Sequence, residues 1–358
     1  MTALPAGAVI GILGGGQLGR MLASAAARLG FDVHILAPED DPPAARVAAK
    51  HWQAAYEDED TLTAFARACD AITYEFENIP VASVEFLLKK GAIVRPGAKS
   101  LEVSQDRLSE KRFLNSIGIE TGHFEAVDSA DDLEKALTLL GGEGLLKTRR
   151  DGYDGKGQVR LKTGDDLAAA YRAIGDVPAV LEAFVPFERE ISVVIARTDD
   201  GTTAAFDPSM NDHSGGILRT SIAPCGLGED IIERARSLAE TLARETGHVG
   251  VMALELFVLE DGTLLANEVA PRVHNSGHWT PEACLTGQFE QHIRAVAGWP
   301  LGPVTRVFDA EMRNLLGKEA LAPPETYTED AVLTLYGKRE AKAGRKMGHV
   351  VWRTGRAS

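Results

Sequence analysis

The sequence predicts an α/β protein: a doubly wound domain to about residue 100, a larger central region to about residue 298, and a small β-rich C-terminal unit over 299–358. Three observations carry this prediction. The short apolar run Ala8 to Leu13 passes through Gly14-Gly15-Gly16 into a helix of small and apolar residues ending near Arg28, and Phe31 to Leu36 reads as a second strand. Further strand-like and helix-like stretches follow along the chain. Leu254 to Leu259 and Thr263 to Val269, rich in Leu, Val and Phe, flank Asp261-Gly262, the dipeptide preferred in a two-residue type I′ hairpin turn.

Composition narrows the function. With 358 residues, 44% apolar and 25% charged, the chain has room for two or three domains and an ordinary globular composition. A net charge of -14 argues against a nucleic-acid partner, which calls for a basic face. An anionic substrate must therefore meet a local cluster of Lys and Arg. Cys69, Cys225 and Cys284 are scattered and have no metal-ligand spacing, which fits a reducing cytoplasm. Gln17, Arg20 and Arg28 interrupt the apolar start, no basic residue precedes it, and no apolar run reaches bilayer length. A cytoplasmic protein with no membrane partner is expected.

In the first domain, Gly14, Gly16 and Gly19 satisfy the G-x-G-x-x-G spacing of dinucleotide-binding turns. The acids after the second strand, Glu39 and Asp40, fall in a Pro-rich loop, a poor place to hold a ribose diol. The same turn can bind another phosphate or carboxylate, or simply allow strand and helix to pack closely. Asp70 to Thr73 is a further strand, and Tyr74-Glu75-Phe76-Glu77-Asn78 follows at its carboxyl end, where α/β sheets place ligands. Ala92 to Val94 reads as a last short strand, and a helix from about Ser104 to Ile117 carries Arg107, Lys111 and Arg112.

The central region carries its strongest loop signal in LLKTRRDGYDGKGQVRL, residues 145 to 161. Lys147 closes a strand, and the run from Gly152 through Tyr153, Asp154, Gly155, Lys156 and Gly157 to Gln158 combines glycines with charge. Glycines let a backbone fold over phosphates with its N–H groups inward, and Lys147 supplies a point charge; a mobile hairpin tip is the plainer alternative. The strand Val180 to Phe184, a short linker at Val185-Pro186 and a β-rich run from Glu188 could form an adenosine pocket, or could place Glu182 and Glu190 on a strand surface. Asn211, Asp212 and His213 are expected in a loop, and Asp230 to Gly247 in a helix.

Counting outward from an Asp261-Gly262 turn pairs Glu260 with Thr263 and sets Glu255 opposite Glu268, Cβ atoms about 4.5 to 5.5 Å apart. Two facing carboxylates repel, and a shared proton, a basic partner or a divalent cation must offset the cost. Arg272, His274, Asn275 and His278 follow directly, a density of polar groups that favours a magnesium–phosphate site over a solvated hairpin. After Pro300, strands are expected near Val304 to Phe308, Ala331 to Tyr336 and His349 to Trp352. Between the last two lie Lys338, Arg339, Lys342, Arg345 and Lys346, the local basic cluster an acidic protein needs for a phosphorylated substrate.

GGGQLGRM, TYEFENI, DRLSEKRFL, RRDGYDGKGQ, GILRTS, NEVAPRVHNSGHWT and GRKMGHV, in this order, resemble the blocks of the ATP-grasp superfamily and, within it, of the N5-carboxyaminoimidazole ribonucleotide synthetase family of purine biosynthesis. The resemblance covers nearly the whole chain. It implies an ATP-grasp architecture, with a lid lobe over about 120–185 and a metal-binding lobe over about 186–298. It also implies a carbon–nitrogen ligase joining ATP, bicarbonate and aminoimidazole ribonucleotide, and a homodimer. By motif, ATP would meet Arg107, Lys147, Gly152 to Gln158, Glu182, Ala183, Phe184, Val185, Glu190, His213, Asn267 and Glu268, with Mg²⁺ on Glu255 and Glu268. The ribonucleotide would lie among Gln17, Glu75, Tyr153, Asp154 and Arg272, its phosphate on Lys338 and Arg345. Arg272, His274, Asn275 and Lys147 are the catalytic candidates. The alternatives are another ATP-grasp ligase, such as a formate-dependent glycinamide ribonucleotide transformylase, a nicotinamide dehydrogenase resting on the glycine turn alone, and a non-catalytic nucleotide-binding module.

Overall fold

A computed structural model describes residues 3–152, 157–321 and 329–357; Tyr153, Asp154, Gly155 and Lys156 of the expected phosphate loop lie outside the described residues. The chain opens with four parallel strands, β1 (Val9–Leu13), β2 (Asp32–Ala37), β3 (Lys50–Gln53) and β4 (Ala71–Tyr74), in the order β3-β2-β1-β4. Alternation along β1 covers both faces. Ile10 and Ile12 pack with Leu18 and Leu22 of the helix Gln17–Arg28, whereas Leu13 packs with Leu62, Phe65 and Ile72 on the other side. A parallel sheet buried on both faces needs such near-continuous apolar strands. The strand expected at Ala92 to Val94 reduces to a single bridge between Val94 and Ile72. Pro96, two residues on, has no N–H with which to extend the ladder.

The next sheet contains β5 (Phe124–Val127), β6 (Glu143–Thr148), β7 (Gln158–Lys162) and β8 (Ala179–Glu182), all antiparallel, in the order β5-β8-β6-β7. Helices Ala130–Leu139 and Leu167–Ala173 cover it, and Val127, Leu133, Leu146, Leu161 and Leu181 form the core between them. Ser129 and Asp166 cap these helices through the N–H groups of Asp132 and Ala169.

The largest sheet holds β9 (Phe187–Arg197), β10 (Thr203–Ala205), β11 (Ser209–Ser214), β12 (Ile217–Ala223), β13 (Gly250–Leu259), β14 (Leu264–Ala270), β15 (Phe308–Leu316), β16 (Ala331–Leu335) and β17 (Lys346–Arg356). Its order is β14-β13-β9-β11-β12-β15-β17-β16, with β10 on β9. The C-terminal strands therefore extend the sheet of the central region, through the pairing of β12 with β15. The strand expected over Val304 to Phe308 begins only at Phe308.

Asn211, Asp212 and His213 are not in a loop but in β11, hydrogen-bonded to β9 on one side and β12 on the other. The polar sequence hides the strand because its buried partners are polar as well. The Asn211 amide donates to Ser192 Oγ at 3.0 Å and accepts from Ser221 Oγ at 2.8 Å.

Candidate active site

The β13–β14 hairpin does set Glu255 opposite Glu268, but by a different route from the one its turn suggests. Gly262 N–H donates to Leu259 O and Leu259 N–H to Thr263 O, both at 2.9 Å, and Gly262 has φ +80°. This is a three-residue loop closed by a left-handed glycine, not the two-residue type I′ turn, and it moves the register by one. A β-bulge moves it back: Leu256 pairs with Ala266, Glu255 with Glu268, and Asn267 is the extra residue. The bulge also turns Asn267 and Glu268 into the same cleft.

That cleft, about 390 Å³, lies between the two antiparallel sheets. Phe184, Val185, Phe187 and Phe257 give it an apolar side, Phe187 stacking on Phe257 with ring centroids 4.6 Å apart. Glu190, His213, Glu255, Asn267, Glu268, Arg272, His274 and Asn275 line the other, with Arg107, Lys111, Lys147, Gly152, Gln158, Glu182 and Ala183 above. Each candidate from the β13–β14 and Arg272–Asn275 stretches thus reaches one cavity.

Burial, then the facing Glu268, raises the Glu255 carboxyl above its ordinary value. His274 Nε2 stands 3.5 Å from Glu255 Oε1, and Arg107 Nη1 is 3.2 Å from Glu268 Oε2. Among the described residues no three His, Cys, Asp or Glu side chains gather as a metal cluster. Two carboxylates without a third protein ligand suit Mg²⁺, which takes one or two carboxylates and completes its shell with water and phosphate oxygens. The donor set and the raised Glu255 therefore fit the expected ion.

Arg272 is fixed by Glu77, which reaches in from the loop after β4 and accepts from Arg272 Nε. Burial would raise the Glu77 carboxyl, but the adjacent guanidinium outweighs it and holds the group at about 2. His274 Nδ1 accepts from the Ser276 N–H at 3.3 Å, which leaves the proton of a neutral ring on Nε2, facing Glu255. Burial and Arg272 keep that ring neutral. Asn275 exchanges two hydrogen bonds with the amide of Asn314 on β15, at 3.0 and 2.8 Å. On the opposite wall, Lys147 Nζ and Lys111 Nζ approach the same oxygen, Glu182 Oε2, at 3.0 and 3.3 Å. Glu190 pairs with His213 at 2.5 Å.

Gln17, Glu75, Lys338 and Arg345 do not line this cleft. Glu75 is buried at the glycine turn, where it accepts from the N–H of Gly16 and, at 2.5 Å, from that of Gly19. The helix N-terminus is thereby filled by the chain's own carboxylate, and a Cβ on Gly16 would stand 2.6 Å from Glu75 Oε1. Gln17 opens the same helix. Lys338 donates to Lys346 O at 2.8 Å, Arg345 is exposed, and Lys346 is the member of the basic cluster that reaches the cleft. Glu77, Lys111 and Lys346 were not singled out for the cleft from sequence. Lys111 carried a usable signal, lying one helical turn after Arg107.

Three family models match in succession: the ribonucleotide synthetase preATP-grasp domain at residues 8–105, the ATP-grasp domain at 112–289 and the phosphoribosylaminoimidazole carboxylase C-terminal domain at 310–355. Fold and cleft thus define an ATP-grasp ligase. The chain is 54% identical over 352 residues to N5-carboxyaminoimidazole ribonucleotide synthase of Brucella melitensis, covering 98% of this chain and 97% of that one. The Staphylococcus aureus synthetase complexed with ADP superposes with a TM-score of 0.94 at 36% identity, covering 99% of this chain and 95% of that one. The Aspergillus clavatus synthase in complex with ADP and 5-aminoimidazole ribonucleotide gives 0.89 at 28% identity, covering 98% and 94%. The chain belongs to the N5-carboxyaminoimidazole ribonucleotide synthase family.

Proposed function

We propose that this ligase carboxylates 5-aminoimidazole ribonucleotide with bicarbonate at the expense of ATP, releasing ADP and phosphate. The observation that supports this most directly is the opposed Glu255–Glu268 pair, with Arg107 beside Glu268 and Lys147 lining the same cleft. A bicarbonate oxygen attacks the γ-phosphorus in line, the bond to the ADP oxygen breaks, and carboxyphosphate forms. The exocyclic amine of the ribonucleotide then takes the carboxyl carbon, directly or as CO₂, and phosphate leaves. Such a transfer is served mainly by positioning and charge neutralisation.

Lys147 and Arg107 neutralise phosphate charge, and the apolar side at Phe184, Val185, Phe187 and Phe257 seats the base. Magnesium held by Glu255 and Glu268 supplies further neutralisation of the phosphate oxygens when bound. Arg272, aimed by Glu77, offsets the negative charge of carboxyphosphate. His274 acts as a neutral donor that orients bicarbonate through Nε2–H, since its Nδ1 is already engaged. Asn275, tied to Asn314, holds the loop between them. Gln17, Tyr153, Asp154, Lys338 and Arg345 serve the ribonucleotide and its phosphate, Glu75 holds the glycine turn beside them, and Gly152 and Gln158, which line the cleft, border the ATP phosphates. The chain divides near residues 100 and 298 for these tasks. It works as a homodimer in the cytoplasm. Separately, among the described residues no helix is long and apolar enough to cross a membrane.

A coupled assay of ADP release with bicarbonate or formate, each against aminoimidazole and glycinamide ribonucleotides, tests the reading. Release should require bicarbonate with aminoimidazole ribonucleotide. Release that is independent of this pair overturns the substrate assignment.

A further inference from the structure

Glu182 presents one carboxylate oxygen to two ammonium groups, with Lys147 Nζ at 3.0 Å and Lys111 Nζ at 3.3 Å. Its second oxygen, Oε1, is buried with no hydrogen-bond partner. The two lysines differ in access. Both line the cleft, but Lys111, on the helix Arg107–Ser116, has a side chain only 3% exposed, whereas that of Lys147, on β6, is 15% exposed. A phosphate entering that cleft competes with Glu182 for Lys147. Were Glu182 paired to Lys147 alone, its loss would strand an ionised carboxylate in a buried place, which is strongly unfavourable. Lys111 prevents this, because it is held too deep to follow the phosphate and stays on the oxygen it already shares.

We propose that Lys111 is a positioning residue for nucleotide binding, the permanent counterion of Glu182 that frees Lys147 for an incoming phosphate. The arrangement amounts to an ion-pair exchange. Lys147 changes partner from carboxylate to phosphate while Glu182 remains compensated. The proposal rests on the reading of Lys147 as a phosphate ligand.

Titration calorimetry with Mg·ADP on the wild-type chain, Lys111→Met, Glu182→Gln and the double variant tests it as a double-mutant cycle. Lys111→Met should weaken Mg·ADP binding about tenfold, while in the Glu182→Gln background the same change should alter affinity by less than about twofold. Lys111→Arg should restore binding, and in turnover Lys111→Met should raise KM for ATP with little change in kcat. Thermal melting checks each variant, and Lys111→Gln takes the place of the methionine variant in the cycle if the latter does not fold. An equal loss in both backgrounds means that Lys111 touches the nucleotide or acts only through the fold, and overturns the proposal. Absence of Mg·ADP binding to the wild-type chain would instead sink the nucleotide reading of the cleft, and this inference with it.

Discussion

Two places in the molecule gather carboxylates in a unit of the fold that carries a glycine turn, and they treat them in opposite ways. At the N-terminal glycine turn, Glu75 is solvated by two backbone N–H groups, those of Gly16 and Gly19. Burial raises its carboxyl, and these donors oppose the shift. Nearby, at the joint of the first domain with β13, the same economy holds: His292 accepts from the Val251 N–H and meets Thr73 Oγ1 at 2.7 Å, while His248 meets Val251 O and Ser100 Oγ, both at 3.0 Å. In the hairpin, Glu255 and Glu268 face each other, and Glu255 is pushed up by burial and by its neighbour. The difference teaches how to separate polar groups that hold the fold from polar groups held for a ligand. The former are fully satisfied by the chain, whereas the latter still oppose one another even with Arg107 beside Glu268.

Substitutions in each place should break this contrast if it is false. The largest effect is expected for Glu268→Gln, which should lower ADP-forming turnover by at least about a hundredfold through lost charge neutralisation. Its melting temperature, measured without magnesium, should be unchanged or higher because repulsion is relieved. A parallel fall in activity and melting temperature would make Glu268 a structural residue like Glu75.

At the glycine turn the effects should run the other way. Gly16→Ala drives a methyl group into the Glu75 carboxylate and should cost about 1–3 kcal/mol in urea unfolding. Wild-type stability in that variant would mean that the close approach of Glu75 is not needed.

The smallest effect sharpens the comparison at the histidine joint. Burial lowers His248 to about 4 and His292 to about 3, from an ordinary 6.5. Both are neutral in the folded chain, and the unfolded chain takes up protons first. Stability from these groups is therefore fully present above 6.5 and declines as pH falls toward 4 and 3. Each should contribute a loss of about 1 kcal/mol between pH 6.5 and about 5.5. His292→Gln, whose amide oxygen can still accept from Val251, should flatten the slope of stability against pH in chemical denaturation. An unchanged slope would show that His292 does not carry that proton linkage.

Much of the cleft was legible because several of its signals are local. Arg272, His274 and Asn275 follow the second strand at fixed spacing, and Glu255 and Glu268 flank a recognisable turn. Even there the right pairing came from an incorrect turn, corrected by a bulge at Asn267 that no propensity announces. β11 is illegible in the sequence because it is not an apolar run: Asn211 is buried among Ser192 and Ser221. Lys111 stood on the same helix face as Arg107, yet only its distance to Glu182 gives it a role.

The linear pattern settled the strand–turn–helix opening, the acidic hairpin and the order of the blocks, since these depend on neighbours a few residues apart and on the backbone preferences of Gly, Asp and the apolar residues. The partnership of Glu77 with Arg272, of Asn275 with Asn314 and of Glu75 with the glycine turn arose only when distant segments met. A charge is structural or functional according to what faces it, and what faces it here lies tens to hundreds of residues away.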